Sequence, residues 1–159
     1  MSVEKVREYL KPYGVDDRIL EPEASSATVE EAAMAVGCEP ARIAKTMSFM
    51  TSDGPILIVL AGDARTDNKK YKEEFHEKAK MIRPEEVEAL IGHAPGGVCP
   101  FAVNEGVTVY LDESLKRFAT VYPAAGSGNS AIELSLEELE RCSRAVKWIN
   151  VGKDWDCAL

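Results

Sequence analysis

The fold of this chain is decided by a central stretch of two apolar runs with a turn between them. The stretch reads IAKTMSFM at positions 43–50, SDGP at 52–55 and ILIVLA at 56–61. Asp53, Gly54 and Pro55 are residues that favour turns, and the second run has no polar residue that would need water. The stretch therefore predicts a β-hairpin whose second strand is buried.

Several helices are indicated around this hairpin by their start and stop signals. Thr28 with Glu31, and Ser135 with Glu138, have the spacing of capping boxes, and Gly37 ends the first of these two helices. Other helices are predicted at 3–10, at 67–78 and at 84–91, and a short one at 112–118.

Further short strands are predicted at 107–111, 119–122, 131–134 and 146–149. Helices do not alternate regularly with these strands, so a doubly wound parallel sheet fits poorly. We expect a mixed α/β (α+β) fold. Its sheet should be mostly antiparallel and barrel-like, with about six to seven short strands and the helices packed outside. A chain of 159 residues is expected to form one domain over 1–159.

Composition limits the classes of protein that the chain can be. The hydrophobic fraction of 45% and charged fraction of 29% are those of a globular protein. No apolar run approaches the roughly 20 residues that span a bilayer, and the N-terminus lacks a signal-peptide pattern, so we expect a cytoplasmic protein without membrane contact. Four cysteines and two histidines show no metal-binding spacing, so free thiols, no metal and no cofactor are expected.

The net charge of -8 argues against nonspecific binding to DNA or other nucleic acid, which depends on many Lys and Arg contacts to phosphates. One local cationic cluster remains, formed by Arg65, Lys69, Lys70 and Lys72. It is a candidate docking site for a phosphodiester, and a solvated helix face is the alternative interpretation.

Lys45 is the first candidate for a functional residue. A lysine on an edge strand often only keeps the strand soluble. Alternation along the strand nevertheless places Lys45 on the same side as Met47 and Phe49, so its ammonium should point into a concave interior. Such a group is costly unless it meets an anion, and we expect a phosphate, a carboxylate or a developing oxyanion there.

The loop Gly96-Gly97-Val98-Cys99-Pro100 is the second candidate feature. Adjacent glycines allow a positive φ and let peptide N–H groups approach a ligand, while the proline fixes the exit. The loop could form an oxyanion-binding nest, or it could be an ordinary turn.

Two weaker candidates lie in or near loops. Cys99 with His93 as its base suggests a thiol nucleophile, although a lone cysteine is more often a small buried hydrophobe. Ser127, Asn129 and Ser130 offer hydroxyl and amide groups in a bend, where such residues usually bind only the turn backbone.

Several short segments recur in a distinctive order: IAKT at 43–46, AGD at 61–63, DNKK at 67–70 and GGVCPF at 96–101. FATVY at 118–122, a glycine-rich bend and IEL at 132–134 follow. Together they resemble the YbaK-like family of aminoacyl-tRNA deacylases, which is related to the editing domain of bacterial prolyl-tRNA synthetases. The resemblance runs from about Asp17 to Leu139.

The resemblance implies a trans-editing hydrolase that cleaves the ester between a mischarged small amino acid and the 3′ end of its tRNA, without metal or covalent intermediate. It implies catalytic roles for Lys45, Gly96, Gly97 and Pro100. The substrate-binding residues that it implies are Thr46, Val98, Cys99, Asn129 and Ser130.

The partners implied are the aminoacyl-tRNA 3′ end and, in addition, an aminoacyl-tRNA synthetase. The alternative is a noncatalytic module that holds a tRNA end or a nucleotide and docks on a synthetase. Cysteinyl-tRNA-specific members have a serine and an aspartate where this chain has Ala124 and Ala131, and Ala102 stands where a glycine often follows the Pro-Phe step. With these differences, the amino acid removed from the tRNA can be alanine or another small one as well as cysteine.

Overall fold

A computed structural model describes residues 2–22 and 28–155. The five α-helices in these ranges are α1 (Ser2–Leu10), α2 (Val29–Val36), α3 (Asn68–Phe75), α4 (Pro84–Ile91) and α5 (Leu136–Ser143). The strands of the central sheet are β2 (Ile43–Thr51), β3 (Gly54–Ala61), β5 (Thr108–Asp112), β6 (Thr120–Pro123), β8 (Leu134–Ser135) and β9 (Lys147–Ile149). Four two-residue strands form two further pairs, namely β1 (Ile19–Leu20) with β7 (Ala131–Ile132), and β4 (Arg65–Thr66) with β10 (Gly152–Lys153).

The six strands follow the order β8-β6-β2-β3-β5-β9 in one curled, mixed sheet, which confirms the predicted fold class. The hairpin of β2 and β3 is antiparallel and pairs Lys45 with Leu60. Within this sheet, the pairings of β2 with β6, β3 with β5 and β5 with β9 are parallel and the other two are antiparallel, so the expectation of a mostly antiparallel sheet is wrong. The long connections between these strands return the chain across the sheet, which makes parallel neighbours. The barrel-like curl lets residues far apart in sequence face one another across the concave side.

The local signals in the sequence set the helix ends as predicted. Thr28 Oγ1 accepts a hydrogen bond from Glu31 N at 3.1 Å, and the same reciprocal box joins Ser135 to Glu138. Asp67 caps α3 by accepting from Lys69 N at 2.9 Å. This helix ends at Phe75, before the predicted Lys78, because His76 has a φ of 61° and closes the helix in the left-handed conformation.

The predicted strand over 131–134 is divided between two partners. Ala131 and Ile132 pair with β1, and Leu134 and Ser135 pair with β6. Between them, Glu133 accepts a hydrogen bond from Thr120 Oγ1 at 2.7 Å. The division lets the bend before Ala131 approach the concave side of the sheet.

The core lies on both faces of β3, where Leu57, Ile58, Val59, Leu60 and Ala61 have no exposed surface. This confirms the prediction of a buried second strand. No helix among residues 2–22 and 28–155 is long and apolar enough to cross a membrane.

A buried carboxylate holds the C-terminal segment to the sheet. Asp112, fully buried, accepts hydrogen bonds from Val151 N at 2.8 Å, Gly152 N at 3.1 Å and Ser114 N at 3.0 Å. Because Gly152 belongs to β10, this contact also fixes β4, which pairs with it and carries Arg65.

Candidate functional site

A cavity of about 240 Å³ opens where two parallel strands part. β2 and β6 pair only through Ile43 with Tyr122 and Ala44 with Pro123. Beyond these pairs the strands separate, and the next residues of both line the cavity. The lining comprises Thr28, Val29, Ala32, Ile43, Ala44, Lys45, Thr46, Gly96, Val98, Tyr122, Ala124, Ser127, Ser130 and Ala131.

Lys45 stands at the border of this cavity with its side chain half-buried. Its Nζ donates a hydrogen bond to the Gly62 carbonyl at 3.4 Å, and no carboxylate of the described residues lies within ion-pair distance. Burial lowers the pKa of Lys45 below that of a free lysine, and the Asp63 carboxylate opposes this shift. An ammonium so placed lacks a strong anionic partner, and an incoming phosphate or oxyanion would supply one.

Lys45 lies on the side of β2 that the alternation of residues predicts. A second cavity, of about 350 Å³, is lined by Lys45 together with Met47 and Phe49, so these three residues share one side of β2. Thr46 faces the first cavity, and its buried Oγ1 has no hydrogen-bond partner among the described residues. Such a hydroxyl gains a hydrogen bond when a polar ligand enters.

The two adjacent glycines are required for different reasons. Gly96 has a φ of 92° and open space beside it, so its conformation alone favours glycine. Gly97 packs so closely on the bend that an added Cβ would lie 2.7 Å from the Gly126 carbonyl oxygen. Its N–H donates to Ala94 O at 2.9 Å, so this peptide is not available to a ligand. The expected nest must therefore use other N–H groups of the loop, such as that of Val98 on the cavity wall.

The bend contributes Ser130 to the cavity and places Asn129 outside it. Ser130 Oγ accepts from Ser127 N at 3.0 Å and from Ala125 N at 3.3 Å, which fixes the shape of the bend. Asn129 is exposed and donates from Nδ2 to Pro22 O at 3.2 Å. Asn129 thus links the bend to the segment that follows α1, and the cavity lining does not include it.

Cys99 and Pro100 lie behind the cavity wall. Cys99 is fully buried, and burial raises the pKa of its thiol to about 12. Its Sγ lies 3.5 Å from His93 Nε2, which is 2.7 Å from the Phe101 carbonyl oxygen. A carbonyl only accepts, so Nε2 carries the proton and cannot deprotonate the thiol. This arrangement does not activate Cys99 as a nucleophile, as the thiol hypothesis required. Pro100 lines a separate cavity beside Tyr9.

Sequence reasoning missed the wall formed by α2 and the contribution of Tyr122 to the cavity lining. Val29 and Ala32 reach the cavity because Gly62 allows close packing, since a Cβ there would lie 2.0 Å from the Pro40 carbonyl oxygen. No local pattern marks such a contact. Ala124 and Ala131, singled out earlier as departures, do line the cavity.

The predicted cationic cluster is only partly free to bind. Lys70 donates to the Gly152 carbonyl at 2.8 Å, while Lys69 and Lys72 are exposed on α3. Arg65 lines the second cavity with Lys45. The described residues contain no cluster of three or more His, Cys, Asp or Glu side chains that could hold a metal ion, and Cys38, Cys99 and Cys142 are free thiols. Cys157 lies outside the described residues.

Comparison with known proteins identifies several relatives. The family model described as "Aminoacyl-tRNA editing domain" matches residues 23–142. The chain is 50% identical over 157 residues to "Uncharacterized protein YwhH" of Bacillus subtilis (strain 168), covering 98% of this chain and 100% of that one. It is 27% identical over 103 residues to the proline-tRNA ligase of the same organism, covering 64% of this chain but only 18% of the ligase.

Solved structures agree with this grouping. A structure described as "a putative trans-editing enzyme for prolyl tRNA synthetase" superposes with a TM-score of 0.87 at 31% identity, covering 96% of this chain and 97% of that one. The structure of "hypothetical protein APE2540" gives a TM-score of 0.82 at 30% identity, covering 94% and 99%.

Proposed function

Because the chain belongs to the aminoacyl-tRNA editing domain family, we propose that it is a trans-editing hydrolase that deacylates a mischarged aminoacyl-tRNA. One observation carries the proposal. The unpaired, half-buried Lys45 ammonium and the glycine loop border the same cavity, where the two strands part. Negative charge develops on the carbonyl oxygen when an ester is hydrolysed. A cation and backbone N–H groups on opposite sides of a small cavity can stabilise that charge.

In the proposed reaction, water attacks the carbonyl carbon of the ester that joins the amino acid to the terminal ribose. The bond from this carbon to the ribose oxygen breaks, one proton of the water passes to the ribose oxygen, and the other is released to solvent as the amino acid leaves as a carboxylate. Lys45 holds the negatively charged phosphate or ester region, and loop N–H groups orient the carbonyl. The proposed reaction uses neither a metal nor a covalent enzyme intermediate. The buried Cys99 thiol, whose pKa is raised to about 12, supports the absence of a covalent step.

The cavity favours a small, uncharged amino-acid side chain. Its volume of about 240 Å³ lies below the roughly 300–1,000 Å³ of pockets for drug-sized ligands. Ala32, Ala44, Ala124 and Ala131 line part of it, and among the lining residues only Lys45, which is assigned to the ester, carries a charge. Apolar lining of this kind discriminates amino acids by size, and one methylene group of the side chain changes kcat/KM by about 10–200-fold.

The test uses tRNAs mischarged with alanine, serine, cysteine or valine, incubated with the wild type, with Lys45→Ala and with Lys78→Ala. Lys78 is exposed and lines neither cavity, so its variant is the matched control. We expect Lys45→Ala to lose about 10²–10³-fold in kcat/KM with an unchanged Tm, because it removes a charge at the reacting centre and little packing. Wild-type turnover by Lys45→Ala would refute the proposal.

A noncatalytic module that holds a tRNA end and docks on a synthetase is the second candidate. The net charge of -8 favours it, since an acidic chain gains tRNA affinity from a basic partner. Tight binding of the tRNA end by the wild type, without release of any amino acid from the panel, would select this function over hydrolysis.

A further inference from the structure

The cavity on the other side of Lys45 has features that the aminoacyl site does not use. It measures about 350 Å³, and we name it the lower groove. Its lining residues are Lys45, Met47, Phe49, Arg65, Thr66, Asn68, Ala79 and Met81. Since Lys45 also borders the aminoacyl cavity, the two spaces meet at a single ammonium.

Hydrogen bonds of the backbone build both walls of the lower groove. Met50 N donates to Lys80 O at 2.8 Å and Ile82 N donates to Ser48 O at 3.2 Å, which holds the segment with Met81 against β2. The opposite wall is β4, paired with β10 and anchored by the hydrogen bond from Asp67 N to Val151 O at 2.7 Å. The groove is therefore part of the folded core structure and not a gap between loose segments.

Arg65 is the second cation of the groove. Its side chain is exposed and has neither an ion pair nor a hydrogen bond among the described residues. Lys45 is likewise without a carboxylate, so two unpaired cations border one groove in a chain whose net charge is -8. An anion between the two would be held by both, and a phosphodiester suits the planar, forked guanidinium of arginine.

The floor of the groove is apolar. Met47 and Met81 form its accessible surface, and Met81 is 55% exposed although methionine is usually buried, while Phe49 belongs to the core with 2% of its surface exposed. The polarisable sulfur of methionine makes favourable contacts with flat rings, so this surface accepts the face of a base. Thr66 and Asn68 add polar groups at the edge. Cations beside a flat apolar floor match a nucleotide better than a peptide or a lipid.

We propose that the lower groove binds the 3′-terminal nucleotide of the tRNA, with its phosphate between Lys45 and Arg65 and its base against Met47 and Met81. The inference rests on the proposed function, since it places the nucleotide beside the ester that Lys45 reaches. The substrate then bends around the edge of β2, with its amino acid in one cavity and its nucleotide in the other. Arg65 acts in binding and contacts no reacting atom.

The experiment compares the wild type with Arg65→Ala, Met81→Ser and the control Lys78→Ala, an exposed lysine outside both the groove and the cationic cluster. The substrates are mischarged tRNA and a 3′-aminoacyl-adenosine that lacks the 5′-phosphate. We expect Arg65→Ala to raise KM about tenfold for the tRNA with kcat unchanged, to weaken its salt dependence, and to leave the adenosine substrate unaffected. Met81→Ser should raise KM for both substrates, by about tenfold as for a lost base stack.

Binding of a short unacylated RNA ending in CCA, measured by fluorescence anisotropy, separates the two proposals. If the wild type binds this RNA through Arg65 and Met81 but releases no amino acid, the proposed hydrolysis fails and the groove assignment stands. If the wild type deacylates tRNA, while both variants keep its KM and its RNA affinity, the groove assignment is wrong and hydrolysis stands. A wild type that binds no RNA and deacylates nothing overturns both. Measurements of Tm check that the substitutions of these exposed residues leave the fold intact.

Discussion

Replacing Gly97 by alanine should force the loop of 96–100 away from the bend on which it packs. A Cβ on Gly97 would lie 2.7 Å from Gly126 O and 2.9 Å from the Cα of Ser127. Both are backbone atoms, so no side chain can rotate away. Ordinary contacts begin near 3.4 Å, and the loop and the bend must therefore move apart by about 0.7 Å.

The energetic cost follows from this displacement. Overpacking by one methyl group against backbone destabilises a protein by about 1–3 kcal/mol. For a chain of this length, about 3 °C of Tm corresponds to each kcal/mol, so Gly97→Ala should lower Tm by roughly 3–9 °C. The wall that carries Val98 shifts with the loop, and a misplacement approaching 1 Å can cost up to about 10²-fold in kcat/KM.

The matched control is Gly128→Ala, in the same bend. A Cβ at Gly128 would meet the nearest atom, Gly96 O, at 3.6 Å, which is an ordinary contact. We expect this variant to keep the wild-type Tm and turnover. Calorimetry and deacylation assays on both variants check the reasoning, and it is refuted if Gly97→Ala behaves as Gly128→Ala does.

Three further predictions concern single residues. Burial lowers the pKa of Lys45 in the folded chain only, so Lys45→Met should be more stable than the wild type at pH 7 in urea unfolding; the gain should shrink as pH rises through the lowered pKa towards that of the unfolded chain, and a pH-independent difference would contradict this cause. Cys99→Ala should keep kcat within about threefold while losing about 1–2 kcal/mol of stability to a small cavity, and rapid inactivation of the wild type by iodoacetamide at pH 7 would disagree with a thiol pKa of about 12. Asp112→Ala should destabilise the chain by about 3 kcal/mol in urea unfolding, because it leaves three buried N–H groups unpaired. A loss below about 1 kcal/mol would show that water replaces the carboxylate.

The features that could be predicted from the sequence are those fixed by neighbours along the chain. The capping boxes at Thr28 and Ser135 need only the residue three positions later. The orientation of Lys45 follows from alternation once the hairpin is recognised, because a shift by one residue would bury it on the other face. The positive φ of Gly96 likewise belongs to a local turn.

The features that could not be predicted depend on packing between distant segments. Val29 enters the cavity wall only because Gly62 permits contact with the segment at Pro40. Met81 reaches the lower groove through an isolated bridge with Phe49, which has no periodic signal. Pro100 was grouped with the loop glycines by its position in sequence, yet the chain turns it towards another cavity. Two-residue strands such as β4 are too short to show a period of two.

The pairing of charges in the fold favours a functional Lys45 independently of any relative. The chain has 27 acidic residues and 19 lysines and arginines, so a carboxylate partner for one buried ammonium would be easy to supply. The carboxylate of Asp63 is near enough to influence Lys45, but Arg117 Nη1 binds it at 2.9 Å. The fold thus engages the neighbouring carboxylate elsewhere and leaves Lys45 with one carbonyl at 3.4 Å. A lysine kept only for solubility would extend into water. A lysine kept half-buried and unpaired between two cavities is explained by an anion that arrives with a ligand.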